Sequence, residues 1–129
     1  MIKFTLIEIE AIKGKQKFFK LFKNEKCDFD TFEKDVRINF NSEMNKIYAL
    51  MDRVANLESL PQSMFKDITP FKDKTKEYEI KTHHLRVYLI QEAKTGKIIV
   101  TGGYKNSQKI DINHFRELKR QYLNNNGNL

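Results

Sequence analysis

The 129-residue sequence predicts a small α+β domain: a mostly antiparallel, twisted sheet with two N-terminal helices and one C-terminal helix, the helices packed on one face. Three observations lead there. The length suits one ordinary domain, and ten Phe and five Tyr supply its core. Three short runs of β-branched and aromatic residues crowd together between residues 78 and 104, with connections short enough to imply antiparallel neighbours. Stripes of helical period lie on either side of them.

The elements follow in chain order. Residues 2–9 alternate and read as a strand. Lys13-Gly14-Lys15 is a turn, and KFFKLF at 17–22 is either the returning arm of a hairpin or a short helix. Asp30 with Glu33 has the form of a capping box, predicting a helix over 31–38. A break is expected over 39–42. Met44, Ile47, Tyr48, Met51, Val54 and Ala55 then recur at helical spacing, as a core-packing stripe. Both prolines fall within 58–70, which reads as a loop or short turn, and 72–76 is a charge run. Strands are expected at 78–81, 85–91 and 97–104, joined by 82–84 and 92–96. Asp111 is placed to cap a last helix lined by Ile112, Phe115, Leu118 and Tyr122. The chain is one domain over 1–123, with 124–129 a disordered tail.

Composition narrows the function. Cys27 is the only cysteine, so an intramolecular disulfide or cysteine-based zinc site is excluded, and the usage fits a reducing cytoplasm. No apolar run approaches the length of a membrane span, and the first residues lack the pattern of a secretory signal. Phosphate-loop, dinucleotide-fold and serine-elbow motifs are missing, so no cofactor is expected. The net charge of +7 is divided unevenly: residues 1–65 hold 11 basic and 10 acidic groups, residues 66–129 hold 13 and 7. A basic second half suggests a face for a polyanion, most often nucleic acid; the bland alternative is a lysine-rich genome.

Within that half, Lys81 and Arg86 become cross-strand neighbours if 78–81 and 85–91 form a hairpin. Like charges so placed repel unless an anion lies between them or an internal partner, such as Glu79, takes the arginine. Lys105 follows the third strand and Lys109 precedes the last helix. His83 and His84 occupy a tight turn, either as polar filler or for acid–base work. Adjacent histidines point apart, so no metal site is expected. Tyr104, beside Gly102 and Gly103, has open space for a ligand.

Tyr78-Glu79-Ile80-Lys81, then Leu85-Arg86-Val87-Tyr88, then IIVTGGYK at 98–105 with Gln108 and Lys109, in that order and followed by a helix, resemble the RelE/HigB superfamily of type II toxins, closest to a phage-derived branch. The similarity covers residues 42–123. It implies a RelE-like fold and a small cytoplasmic toxin that cleaves mRNA, usually on the ribosome, and is neutralised by a cognate helix-turn-helix antitoxin. Members of the ParE branch poison gyrase, so a non-catalytic gyrase- or nucleic-acid-binding toxin is the alternative, with an inactive phage-derived domain as a third reading. Lys81 stands where the family commonly has arginine, which weakens bidentate phosphate holding. Asn106 stands where a second lysine is frequent.

The resemblance implies catalytic roles for Lys81, Arg86 and Lys105, with His83 and Tyr122 as further candidates. Arg86 suits stabilisation of charge on the phosphorus. A lysine crowded by cations, or His83 or His84, could act as base. RNA would be held by His84, Tyr104, Lys109, Arg116 and Lys119.

Overall fold

The computed structural model describes residues 2–92 and 95–126. β1 (Phe4–Glu8) turns back on β2 (Phe18–Lys23) as an antiparallel hairpin. The strand reading of KFFKLF is therefore the right one of the two. Phe18 and Leu21 have opposite parity, and each enters a different core, as a strand requires. Asn24 and Glu25, with φ of 49° and 69°, then make a tight turn into the helix.

The two expected N-terminal helices are one. α1 (Asp28–Ala55) runs through the predicted break, which is a kink at Phe40 (φ −131°, ψ 40°). Arg37 spans the kink: its Nε donates to Glu33 Oε2 at 2.8 Å, and one terminal nitrogen donates to Asn41 and Asn45 at 2.8 and 2.9 Å. These bonds bridge the helix where its backbone ladder is interrupted. The helix also starts earlier than the capping-box reading has it. Cys27 is the N-cap, its Sγ accepting from the Asp30 N–H at 3.4 Å, so Asp30 sits in the first turn beside the positive helix end.

β3 (Phe65–Asp67), β4 (Glu77–Lys81), β5 (Leu85–Glu92) and β6 (Gly96–Tyr104) follow, then a 3-10 turn (Lys105–Ser107) and α2 (Gln108–Asn126). β3 lies where a loop is expected; Phe65 stacks on Tyr78 at 4.8 Å. The sheet order is β1-β2-β6-β5-β4-β3, antiparallel except for the parallel pair β2–β6. α2 begins three residues before Asp111, which therefore lies in its first turn. Asn124 and Asn125 continue α2 instead of starting a tail, and residues 127–129 of that predicted tail lie outside the described residues. Among the described residues, no helix is long and apolar enough to cross a membrane.

The helices cover opposite faces of the sheet, not one. Leu85, Val87 and Leu89 pack with α1, whereas Tyr88 and Ile90 pack with Phe115, Leu118 and Tyr122 of α2. A bulge at Tyr88/Leu89 adjusts the register between β5 and β6.

One ion-pair network fastens α2 to the loop before β4. Lys119 is buried, and its Nζ donates to Glu77 Oε2 (2.7 Å), Asp73 Oδ2 (2.8 Å) and the Thr75 carbonyl (3.2 Å). Arg116 adds a bond to Glu77 Oε1 at 3.0 Å and one to the Ile68 carbonyl at 2.9 Å. Lys119→Met leaves Glu77 buried with half its compensation and should lower stability by about 3–5 kcal/mol in urea unfolding. Adding Glu77→Gln should recover part of that loss. A single variant as stable as wild type would remove the anchoring role.

Candidate nucleic-acid interface

The chain converges at one end of the sheet. β4 and β5 meet through a tight turn closed by Thr82 N–H to the Leu85 carbonyl (3.1 Å), which sets Lys81 opposite Arg86. β6 ends alongside: Tyr104 is opposite Leu85, and the Lys105 N–H donates to the His84 carbonyl at 2.8 Å. Lys81, His83, His84, Tyr104 and Lys105 thus share this end, with Lys109 in the first turn of α2. A hollow of about 260 Å³ opens beside the turn, lined by Lys46, Met64, Lys81 and His83 among others.

The α1 kink completes the site. Glu43, just beyond it, accepts from Thr82 Oγ1 (2.5 Å) and the His84 N–H (2.8 Å) with one oxygen, and lies 2.6 Å from His84 Nδ1 with the other. Burial pushes the Glu43 carboxyl up, but these bonds from Thr82 and His84 together outweigh it and hold the group below its usual range. The carboxylate therefore stays ionised at neutral pH and can only accept, so His84 Nδ1 is the donor of this pair and Nε2 is turned away from it. Phe40 lies 4.7 Å from the His84 ring, and His83 meets it edge-on at 4.3 Å. About half of the His84 side chain remains exposed. Its ring is thus held by Glu43 on one side and open to solvent on the other.

Tyr104 is less open than expected. Its hydroxyl donates to Asp35 Oδ2 at 2.8 Å, and burial followed by this bond raises its pKa. The space beside the two glycines is filled. A Cβ on Gly102 would lie 2.6 Å from the Phe32 ring, and one on Gly103 would lie 1.8 Å from Asp111 Oδ2. The glycines admit protein groups, not a ligand.

Arg86 faces the α2 side and is 7% exposed. One terminal nitrogen donates to the Thr82 and Leu85 carbonyls at 2.6 and 2.8 Å, while Nε is buried with no partner. The internal salt bridge to Glu79 is not formed: Glu79 Oε2 accepts from Gln108 Nε2 at 2.5 Å. Arg86 thus braces the turn that carries the histidines.

Three candidates lie elsewhere. Tyr122 is in the α2-side core, its hydroxyl donating to Glu92 at the far end of β5 (3.1 Å). Fourteen residues of helix, roughly 21 Å, separate it from the start of α2. Arg116 and Lys119 belong to the Glu77 network, and Lys119 is too deeply buried to meet RNA. Glu43, Asp35 and Phe40 were missed. In the sequence Glu43 is one polar residue at the edge of an amphipathic stripe, 41 positions from its partner.

No family model, curated protein or solved structure matches the chain.

A group with a lowered folded pKa stabilises the fold fully above its unfolded value, and that stabilisation disappears as pH falls through the folded value. Glu43→Gln should therefore lower stability by about 1–3 kcal/mol at neutral pH. The gap from wild type should close as pH is taken from about 5 towards 2 in urea unfolding. A gap independent of pH would show that the Glu43 charge is not responsible.

Proposed function

We propose that the chain is a toxin of a type II toxin–antitoxin pair, a cytoplasmic endoribonuclease that cuts mRNA on the ribosome and is silenced by a helix-turn-helix antitoxin. The observation that carries this reading is the His84–Glu43 pair at the sheet end that also carries His83, Lys81 and Lys105. Those groups match the tasks of RNA transesterification. His84 Nε2 takes the proton from a ribose 2′-hydroxyl, and the 2′-oxygen attacks the adjacent phosphorus. The P–O5′ bond breaks, and a protonated neighbour, His83 by position, returns a proton to the 5′-oxygen. A 2′,3′-cyclic phosphate and a free 5′-hydroxyl result. Lys81 and Lys105 bear the negative charge that builds up on the phosphoryl oxygens. Arg86 acts through the turn, as a positioning residue, not on phosphate.

The burial of Arg86 favours a second reading, a toxin that binds nucleic acid or gyrase without cleavage, because the strongest phosphate ligand of the sequence is then not on the surface. The two separate on one variant. His84→Ala should reduce mRNA cleavage by about 100- to 10,000-fold and relieve growth arrest, while leaving RNA affinity within a small factor. Cleavage at the wild-type rate would refute the catalytic reading, and arrest with intact mRNA would favour the binder.

A further inference from the structure

Phe71 is the most exposed large apolar side chain among the described residues, at 91%. A lone exposed apolar residue is ordinary on a mobile loop. This loop is fixed. Asp73 N–H closes a turn onto the Pro70 carbonyl (3.0 Å), and Lys72 adopts φ 65° within it. Asp73 also caps the Thr75 N–H at 2.9 Å. The loop base is tied by Ile68 N–H to the Glu77 carbonyl (3.0 Å) and Glu77 N–H to Thr69 Oγ1 (2.9 Å). Beneath it lies the Lys119 ammonium, which holds both Asp73 and Thr75. A buried charge is thus used to hold a loop whose tip is a bare phenyl ring.

The surroundings of that ring are cationic. Lys72 Nζ sits 5.5 Å from the ring centroid, and Lys74 and Lys76 are exposed along the same loop. Asp73 points inward to Lys119, and Asp67 lies 3.9 Å from Lys76, which leaves Lys72 and Lys74 as the uncompensated cations of the loop. An aromatic platform with a lysine against it and another along its loop has the chemistry of a single-strand contact: a base stacks on the ring and the flanking phosphates meet the ammonium groups. A protein partner would call for further exposed large apolar side chains, and Phe71 is the only one in the loop.

We infer that the Phe71 loop is a second RNA contact, taking one unpaired nucleotide by stacking. It rests on the RNA-directed reading above and adds a site to it. β4 separates this loop from the His84 turn by its own length, roughly 15 Å, so one strand of RNA can reach both. Because the loop is already ordered, binding loses little conformational freedom there.

The test uses a fluorescein-labelled 2′-O-methyl oligoadenylate, which cannot be cleaved through the 2′-oxygen, and an RNA duplex of equal length. At about twelve nucleotides it falls within the site size of single-strand binders. Phe71→Ala should weaken single-strand binding by anisotropy roughly five- to a hundredfold, the range for one stacked base. Phe71→Trp should restore it, and duplex affinity should not change. Circular dichroism checks that the variants fold. Wild-type affinity in Phe71→Ala, or equal losses on duplex and single strand, overturns the inference while the RNA-directed reading stands. Failure of the wild-type chain to bind either RNA overturns both. Loss of sedimentation with phosphatidylserine vesicles, at unchanged RNA affinity, would assign the loop to a membrane surface instead.

Discussion

The burial of β5 on both faces is the constraint on which the rest of the structure depends. From Leu85 to Ile90 every residue of this strand is buried, because α1 covers one side and α2 the other. An arginine in such a strand must find acceptors inside the protein, and Arg86 finds two carbonyls at the neighbouring turn. Chemistry that needs solvent is pushed to the strand ends. Both surface features follow from this: the histidine turn lies where β4 ends, and the Phe71 loop lies where it begins.

The same constraint changes the meaning of the net charge. Counted from the sequence, the second half is strongly basic. In the fold, Arg116, Lys119 and Arg120 are committed to carboxylates, and Lys97 is buried against Gln16 and Gln91, where desolvation lowers its pKa. Lys66, Lys72, Lys74, Lys76, Lys105 and Lys109 face outward. Lys72 and Lys74 lie just before the start of β4, and Lys105 and Lys109 follow the end of β6. A carboxylate marks each end, with different effects: Glu77 fixes a loop from below, and Glu43 fixes the tautomer of an exposed histidine.

The strands of the second half were legible because runs such as LRVYLIQ carry local β preference and sit between clear turns. The kink was legible as a break, since the helical spacing fails near Phe40. What could not be read was its character, because Arg37 reaching Asn41 and Asn45 is a side-chain matter that periodicity does not record. β3 is three residues long and lies beside a proline loop, too short to carry a pattern. At the candidate site, the cations and histidines were visible as residue types, and the β4–β5 register brought Lys81 and Arg86 together as anticipated. Their surroundings were not visible. Whether a cation is a surface ligand or half of a buried pair depends on partners such as Glu77, 42 positions from Lys119.

The N-cap of α1 has a practical consequence. Cys27 is buried, its thiol is pushed up in pKa by desolvation, and its sulfur is engaged by a backbone N–H. Thiolate is the reactive form, so this sulfur reacts slowly with disulfides and maleimides. The chain should therefore serve as a near cysteine-free background. A cysteine introduced at an exposed position can carry a fluorophore or spin label alone, and distances across the sheet can be measured without first removing the native thiol.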